Sequence, residues 1–166
     1  MLSKKMQDAL NKQINAELYS SYLYLSMAAH FDAENLKGSA GWMKGQAQEE
    51  HAHAMRIYDY VNDRMGRVTL AAIDAPPTAW DSPLAVFQQT CEHEAKVTAM
   101  IHDLVNLAAA EKDHATEAML QWFVTEQVGE EAAANEIREK LETIEGSPQG
   151  LFMLDQVLAQ RKGGAE

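Results

Sequence analysis

The four prolines of this chain of 166 residues lie at only two places, and this placement leaves room for very long helices. Pro76, Pro77 and Pro83 lie near the middle of the chain, and Pro148 lies close to its end. A proline inside a helix removes a backbone hydrogen bond and clashes with the preceding turn, so long helices need proline-free segments. In those segments apolar residues recur every three or four positions, which is typical of helices, and almost no strand pattern occurs. We therefore predict an all-α fold.

Capping residues and turn signals mark the ends of the predicted helices. Ser3 can cap a first helix that breaks near Asn35. A second helix runs over residues 41–65 and ends at Gly66, where a glycine can take the left-handed conformation that closes a helix. Similar signals mark the other ends. We predict a single domain over residues 1–166, with a four-helix bundle at about residues 4–145 and a short fifth helix at about residues 148–162.

The lengths of the connections predict how the helices are arranged. Short turns near residues 35 and 112 join the first helix to the second and the third to the fourth. The segment RVTLAAIDAPPTAWD at residues 67–81 has no helical period, which indicates a long connection. We therefore predict an antiparallel four-helix bundle with a long crossover between helices 2 and 3 and a short C-terminal fifth helix.

Polar side chains interrupt the apolar stripe of each long helix near its middle. The interrupting residues are Glu17 in the first helix, Glu50 and His53 in the second, Glu94 in the third, and Gln127 and Glu130 in the fourth. Burying an isolated carboxylate costs several kcal/mol unless it is paired, hydrogen-bonded or bound to metal. For a single pair such as Glu50 and His53, a solvated helix face or a salt bridge is the alternative. Four interrupted stripes indicate a shared role instead.

The spacing of these residues repeats in the two halves of the chain. It is 33 residues for Glu17–Glu50 and Glu94–Gln127, and three residues for Glu50–His53 and Gln127–Glu130. In two antiparallel hairpins this repeat puts all six side chains at one level of the bundle. Four carboxylates and one imidazole suit a pair of redox-capable divalent ions. The pattern is typical of di-metal carboxylate bundles, although only the second helix keeps the Glu-x-x-His motif.

Charge and cysteine usage exclude several classes of function. The net charge of −11 disfavours nucleic acid and anionic membranes as partners and favours cations. The single Cys91 cannot form an intramolecular disulfide, and no Cys-x-x-Cys pair is present to bind zinc or an iron centre. The first residues turn polar at once, so we expect no signal peptide, no membrane span and a cytoplasmic location.

Over essentially its whole length the sequence resembles the bacterial non-haem ferritins, through NAELYSSYLYLSMAAHF, QEEHAHAM, CEHEAKVT and LQWFVTEQVGEE. The resemblance implies a ferritin-like fold and the following site residues. Two irons would be held at a ferroxidase centre by Glu17, Glu50, His53 and Glu94, with Glu50 bridging and Glu130 completing the second iron's shell. Gln127 would hydrogen-bond to the ligands, and Tyr24 and Trp122 would lie beside the centre, where packing is the alternative role for both aromatic residues.

The resemblance also implies an assembly and an activity. Ferritins form hollow shells of 24 subunits, oxidise Fe(II) with dioxygen or hydrogen peroxide, and store a ferric mineral inside. The fifth helix resembles the one that packs around the four-fold axes of the shell. Bacterial members commonly have a third iron site, of which Glu49, Glu126 and Glu130 match here while the remaining position is Gly129. We therefore expect a weakened or rearranged third site.

The same comparison separates this chain from related proteins. Bacterioferritins ligate haem through a methionine next to the second-helix glutamate, and that position is His51 here, so no haem is expected. A rubrerythrin-like di-iron peroxide reductase is one alternative, which the missing cysteine pairs and the fifth helix disfavour. A protective mini-ferritin shell is another, which the complete ligand set inside the bundle and the lack of a basic tail disfavour.

Overall fold

The computed structural model describes residues 1–161, and five helices account for most of them. They are α1 (Lys4–Ala33), α2 (Lys37–Asp63), α3 (Pro83–Glu111), α4 (His114–Thr143) and α5 (Pro148–Leu158). The predicted all-α four-helix bundle with a short fifth helix is confirmed. The fifth helix ends at Leu158 rather than near residue 162, which itself lies outside the described residues. No helix in the described part of the chain is long and apolar enough to cross a membrane.

Side-chain caps begin most of the helices where the sequence predicts them. Ser3 Oγ accepts a hydrogen bond from the Met6 amide at 3.0 Å, and Ser82 Oγ accepts one from the Ala85 amide at 3.1 Å. Helix α2 is different, because it begins at Lys37, four residues before the predicted start. The carboxylate that caps it belongs to Asp155 of α5, which is remote in sequence and therefore gave no local signal.

The two short turns lie where the repeated spacing predicts them. Asn35 joins α1 to α2 with a φ of 59°, and Lys112 joins α3 to α4 with a φ of 56°. Both residues therefore adopt the left-handed conformation that reverses the chain after a helix. At the end of α2 the left-handed residue is Met65, with a φ of 57°, so the prediction that Gly66 takes this conformation is wrong.

The crossover at residues 64–82 runs beside α1 and is fastened to it by hydrogen bonds. Asn11 Nδ2 donates to the Arg67 carbonyl at 3.0 Å, and Asn15 Nδ2 donates to the Ala72 carbonyl at 3.0 Å. Nearer the end of α1, Ser26 Oγ donates to the Pro77 carbonyl at 2.5 Å. The connection therefore carries the chain along the length of the bundle, so that α3 runs parallel to α2.

Two apolar clusters fill the bundle, one on each side of a polar layer. One cluster contains Leu23, Met27 and Phe31 of α1 with residues of the other helices at the same end. The second contains Met6, Leu10 and Ile14 of α1 and its neighbours at the opposite end. On every long helix the predicted polar residues fall between the two clusters. The hydrophobic contacts on either side are therefore what hold the polar layer in place.

Candidate metal centre

The structure brings the six predicted polar side chains together in the layer between the two clusters. All six are buried, with exposures between 1% and 7%: Glu17, Glu50, His53, Glu94, Gln127 and Glu130. Each long helix contributes at least one of them, as the repeated spacing predicts. Burying this many carboxylates is favourable only when their charge is neutralised, either by bound protons or by cations.

The ligand atoms form two groups that share Glu50. Glu17, Glu50 and His53 each offer one atom, and these atoms lie within 4.8 Å of one another. Glu50, Glu94 and Glu130 form a second group that meets the same limit. Two sets that share one carboxylate can hold two ions with that carboxylate between them. Four carboxylates also carry four negative charges, which two divalent cations would neutralise.

Two of the carboxylate oxygens are left without partners. Within residues 1–161, Glu17 Oε2 and Glu50 Oε1 are buried and have no hydrogen-bond partner. An unsatisfied buried polar atom costs about 1–3 kcal/mol, and more when it is charged. Both atoms belong to the first ligand group, so their free lone pairs fit a bound cation.

Amide side chains hold the other oxygens of the carboxylates. Gln13 Nε2 donates to Glu17 Oε1 at 2.8 Å, Gln46 Nε2 donates to Glu130 Oε2 at 2.7 Å, and Gln127 Nε2 donates to Glu94 Oε2 at 3.1 Å. Gln127 thus donates to Glu94, one of the predicted ligands. Neither Gln13 nor Gln46 was predicted to belong to the site, although each lies one helical turn before a predicted ligand and the spacing could have indicated them. Neutral donors of this kind orient carboxylates without adding charge.

Burial and mutual repulsion raise the pKa values of the acids in the layer. Burial raises the pKa of Glu17 well above its ordinary value, and the charge of Glu50 raises it further. Burial likewise raises the pKa of Glu50, with added repulsion from Glu94 and Glu130. The pKa of Glu130 rises to about 7, mainly through burial and then through the charge of Glu94. The layer therefore resists holding four negative charges by itself, and cations would relieve this repulsion.

Two aromatic side chains flank the layer. Tyr24 is fully buried, and its hydroxyl donates a hydrogen bond to Glu94 Oε1. Its pKa is raised well above the ordinary value by burial and by the charge of Glu94, which keeps the phenol protonated as a donor. The Trp122 ring lies edge-on to His53 with centroids 5.3 Å apart, under the guanidinium of Arg56 at 4.2 Å. Each aromatic side chain therefore contacts one of the predicted ligands, Glu94 for Tyr24 and His53 for Trp122.

The structure brings together only some of the residues expected at a third site. Glu126 forms a further group with His53 and Glu130, whose ligand atoms lie within 4.8 Å of one another. Glu49 is absent from the three ligand groups found in residues 1–161, and its carboxylate accepts a hydrogen bond from Arg161 at 2.7 Å. Gly129 is exposed and contributes no side chain. His51 is exposed as expected. The part played by Arg161 had no signal in the sequence.

Comparisons with known proteins agree with this geometry. The Ferritin-like domain family matches residues 7–144. A bacterial non-heme ferritin from Bacteroides fragilis is 47% identical over 97% of this chain and 100% of its own length. One from Staphylococcus saprophyticus is 39% identical over 97% and 96% of the two chains. The solved structure of an open pore ferritin from the archaeon Archaeoglobus fulgidus superposes with a TM-score of 0.97 at 54% identity, covering 98% of this chain and 100% of that one.

Proposed function

Since this chain belongs to the ferritin family, we propose that it stores iron and that its bundle oxidises Fe(II) to Fe(III), with dioxygen or hydrogen peroxide as the oxidant. One observation carries the proposal. Among the described residues, Glu17 Oε2 and Glu50 Oε1 are buried without hydrogen-bond partners, and both residues belong to one group of three possible ligands. A buried site that leaves carboxylate oxygens unsatisfied is suited to take up hard divalent cations such as Fe(II).

The residues divide the work between binding and orientation. Glu17 and His53 bind the first Fe(II), Glu94 and Glu130 bind the second, and Glu50 bridges the two. Each Fe(II) gives up one electron, so a pair held together can deliver two electrons to one oxidant molecule. Gln13, Gln46 and Gln127 hold the carboxylates at one oxygen each. Tyr24 orients Glu94 in the same way.

We further propose that the chain assembles with copies of itself into a shell of 24 subunits that holds the ferric product. Phe152, Met153 and Val157 support this, because all three are more than half exposed on α5. An apolar helical face of this kind is typical of a surface that another protein copy covers. We place the protein in the cytoplasm, with Fe(II), the oxidant and its own copies as partners, and with neither nucleic acid nor a membrane.

Replacing Glu50 with glutamine tests the centre directly. The Glu50→Gln variant keeps the shape of the side chain but loses the charge and the bridging oxygen. We expect the initial rate of Fe(II) oxidation, at two Fe(II) per subunit, to fall by at least about tenfold while the particle mass is unchanged. Glu136→Gln is the matched control, because Glu136 is an exposed acid on α4 that pairs only with Lys140 among the described residues. Oxidation by Glu50→Gln at the rate of the unmodified protein would show that the centre is misassigned.

Particle mass combined with aerobic Fe(II) addition separates the proposal from its rivals. A 24-subunit particle that retains a ferric core is the expected result. A 12-subunit particle would favour a protective mini-ferritin, and a dimer that reduces peroxide without keeping iron would favour a rubrerythrin-like protein.

A further inference from the structure

Arg161 places a permanent positive charge beside the candidate metal centre. We propose that Arg161 is a positioning residue that takes the place of a third divalent ion, so that the centre of this chain binds two ions per subunit and excludes a third. The inference rests on the proposed two-ion centre. It concerns how that centre is limited to two ions rather than what it does with them.

The guanidinium is held by several groups along one face of α2. Nη2 of Arg161 donates to Glu49 Oε2 at 2.7 Å and to Gln46 Oε1 at 2.6 Å. Nη1 donates to the Trp42 carbonyl at 3.1 Å, and the group lies 4.6 Å above the Trp42 ring. The side chains of Arg161 and Glu49 are 24% and 18% exposed. These are the bonds of a fixed side chain rather than those of a mobile surface arginine.

Arg161 also acts on the centre through Gln46. The amide of Gln46 accepts from Arg161 at its oxygen and donates from its nitrogen to Glu130 Oε2 at 2.7 Å. Because a guanidinium only donates, it fixes which end of the amide faces Glu130. Without that contact the amide could turn its oxygen toward the carboxylate. Arg161 thus orients a proposed ligand from outside the layer.

A third ion beside this layer would need the Glu49 carboxylate, which already pairs with Arg161. Glu126 and Glu130 can approach a common ion together with His53. Glu49 is joined to Glu130 by a chain of hydrogen bonds, since the Arg161 guanidinium donates to both Glu49 and Gln46, and Gln46 donates to Glu130. Gly129 supplies no further carboxylate. An incoming divalent ion would therefore have to displace the guanidinium from Glu49 and overcome its repulsion.

The docking of α5 fixes the position of Arg161. The Asp155 carboxylate accepts hydrogen bonds from the Gly38 amide at 3.0 Å and the Ser39 amide at 2.7 Å. Packing at this point is very close, since a Cβ on Gly38 would lie 1.7 Å from the Asp155 carbonyl oxygen. Arg161 follows three residues after the end of α5. The helix that docks on the start of α2 therefore brings the cation to Glu49.

Counting bound Co(II) under anaerobic conditions tests the proposal. Co(II) binds carboxylate and imidazole ligands, and it stays divalent when dioxygen is excluded. Equilibrium dialysis of the assembled protein gives the number of ions per subunit, and visible absorption reports their coordination. We expect two ions per subunit in the unmodified protein and one more in Arg161→Gln. Arg161→Lys should stay at two, because an ammonium group still neutralises Glu49.

Two further variants show what causes any increase in the number of bound ions. Arg138→Gln removes the same charge from a side chain of similar exposure, 27%, whose partners Glu139 and Glu142 lie on the surface of α4, and it should stay at two. Glu49→Gln combined with Arg161→Gln should return to two, because the third ion needs the Glu49 carboxylate. A third ion that persists in this double variant would not depend on the Glu49 carboxylate and would overturn the proposal. An unchanged count in Arg161→Gln, or three ions in the unmodified protein, would overturn it as well. Binding of fewer than two ions by the unmodified protein would instead contradict the proposed function.

Discussion

At the scale of single residues, the proposed centre combines carboxylates whose oxygens are hydrogen-bonded with carboxylates that keep an oxygen free. Glu94 has both oxygens hydrogen-bonded, by Tyr24 and by Gln127, whereas Glu17 and Glu130 each have one oxygen held by an amide. Among residues 1–161, no amide or hydroxyl group donates to the Glu50 carboxylate, and its Oε2 lies 3.3 Å from His53 Nδ1. The carboxylate with the fewest fixed contacts is therefore the one that both ligand groups share, which suits a bridging role.

The raised pKa of Glu130 predicts a pH dependence of stability when divalent ions are removed with a chelator. Its folded pKa of about 7 lies above the ordinary value of 4.5, so the folded protein binds this proton more tightly than the unfolded chain does. Stability should then fall as the pH rises from about 4.5 to about 7, by on the order of 3 kcal/mol from this group alone. Glu130→Gln should flatten that part of the curve in chemical unfolding. A curve of unchanged slope would show that Glu130 does not carry the proton.

The sequence was informative about which residues form the layer and less so about how they are held. Glu17, Glu50, His53, Glu94 and Glu130 could be predicted to lie at one level because spacing along helices determines height in a bundle. The bonds from Gln13 and Gln46 depend on how side chains turn across the gap between helices. The contact of Arg161 with Glu49 depends on where α5 docks, and no spacing rule predicts that.

At the scale of helices, the start of α4 joins the ends of two hairpins. The Asp113 carboxylate accepts from the Thr116 amide at 3.2 Å, and its two oxygens accept from Arg64 at 3.0 and 3.2 Å. It therefore both caps α4 and ties the end of α2 to it.

Asp113→Ala removes the cap and leaves Arg64 without its carboxylate partner. We expect a loss of about 1–3 kcal/mol in the free energy of unfolding, measured as a lower denaturation midpoint. Asp8→Ala is the control, because the pair of Asp8 with Lys4 is exposed and its loss should change stability by less than about 1 kcal/mol. Equal effects of the two substitutions would contradict the role of the cap.

Helix α5 depends on the absence of a side chain at Gly38. A Cβ there would overlap the Asp155 carbonyl oxygen, so Gly38→Ala must push α5 away from α2. We expect this variant to lose docking of α5, measured as faster amide hydrogen exchange at residues 148–158. Gly41→Ala offers a matched control in the same helix, since no atom of the described residues outside its own turn of helix lies within 4 Å of a Cβ at Gly41. That variant should be stabilised by about 0.5–1 kcal/mol. Similar exchange in both variants would show that close packing at Gly38 does not hold α5.

At the scale of the whole molecule, hydrogen bonds across the polar layer link the two hairpins. Tyr24 reaches from the first hairpin to Glu94 of the second, and Gln46 reaches from the first to Glu130. The layer itself destabilises the fold, because it buries carboxylates that repel one another. The apolar clusters at both ends of the bundle offset that cost, so the fold can keep destabilising residues at its centre.

The exposed face of α5 gives a prediction about assembly. Val157 is 56% exposed in a single chain. If α5 packs around four-fold axes, Val157→Glu brings four added carboxylates close together at each axis, where repulsion and lost apolar contact act on every copy. We expect light scattering to show particles smaller than 24 subunits. Each subunit should still oxidise Fe(II), because the ligands of the proposed centre come from one chain, but no ferric core should be retained. Val128→Glu makes the same change at a residue of α4 that is 70% exposed, and it should leave the mass unchanged. A 24-subunit particle formed by Val157→Glu would exclude this face of α5 from the contacts that hold the shell together.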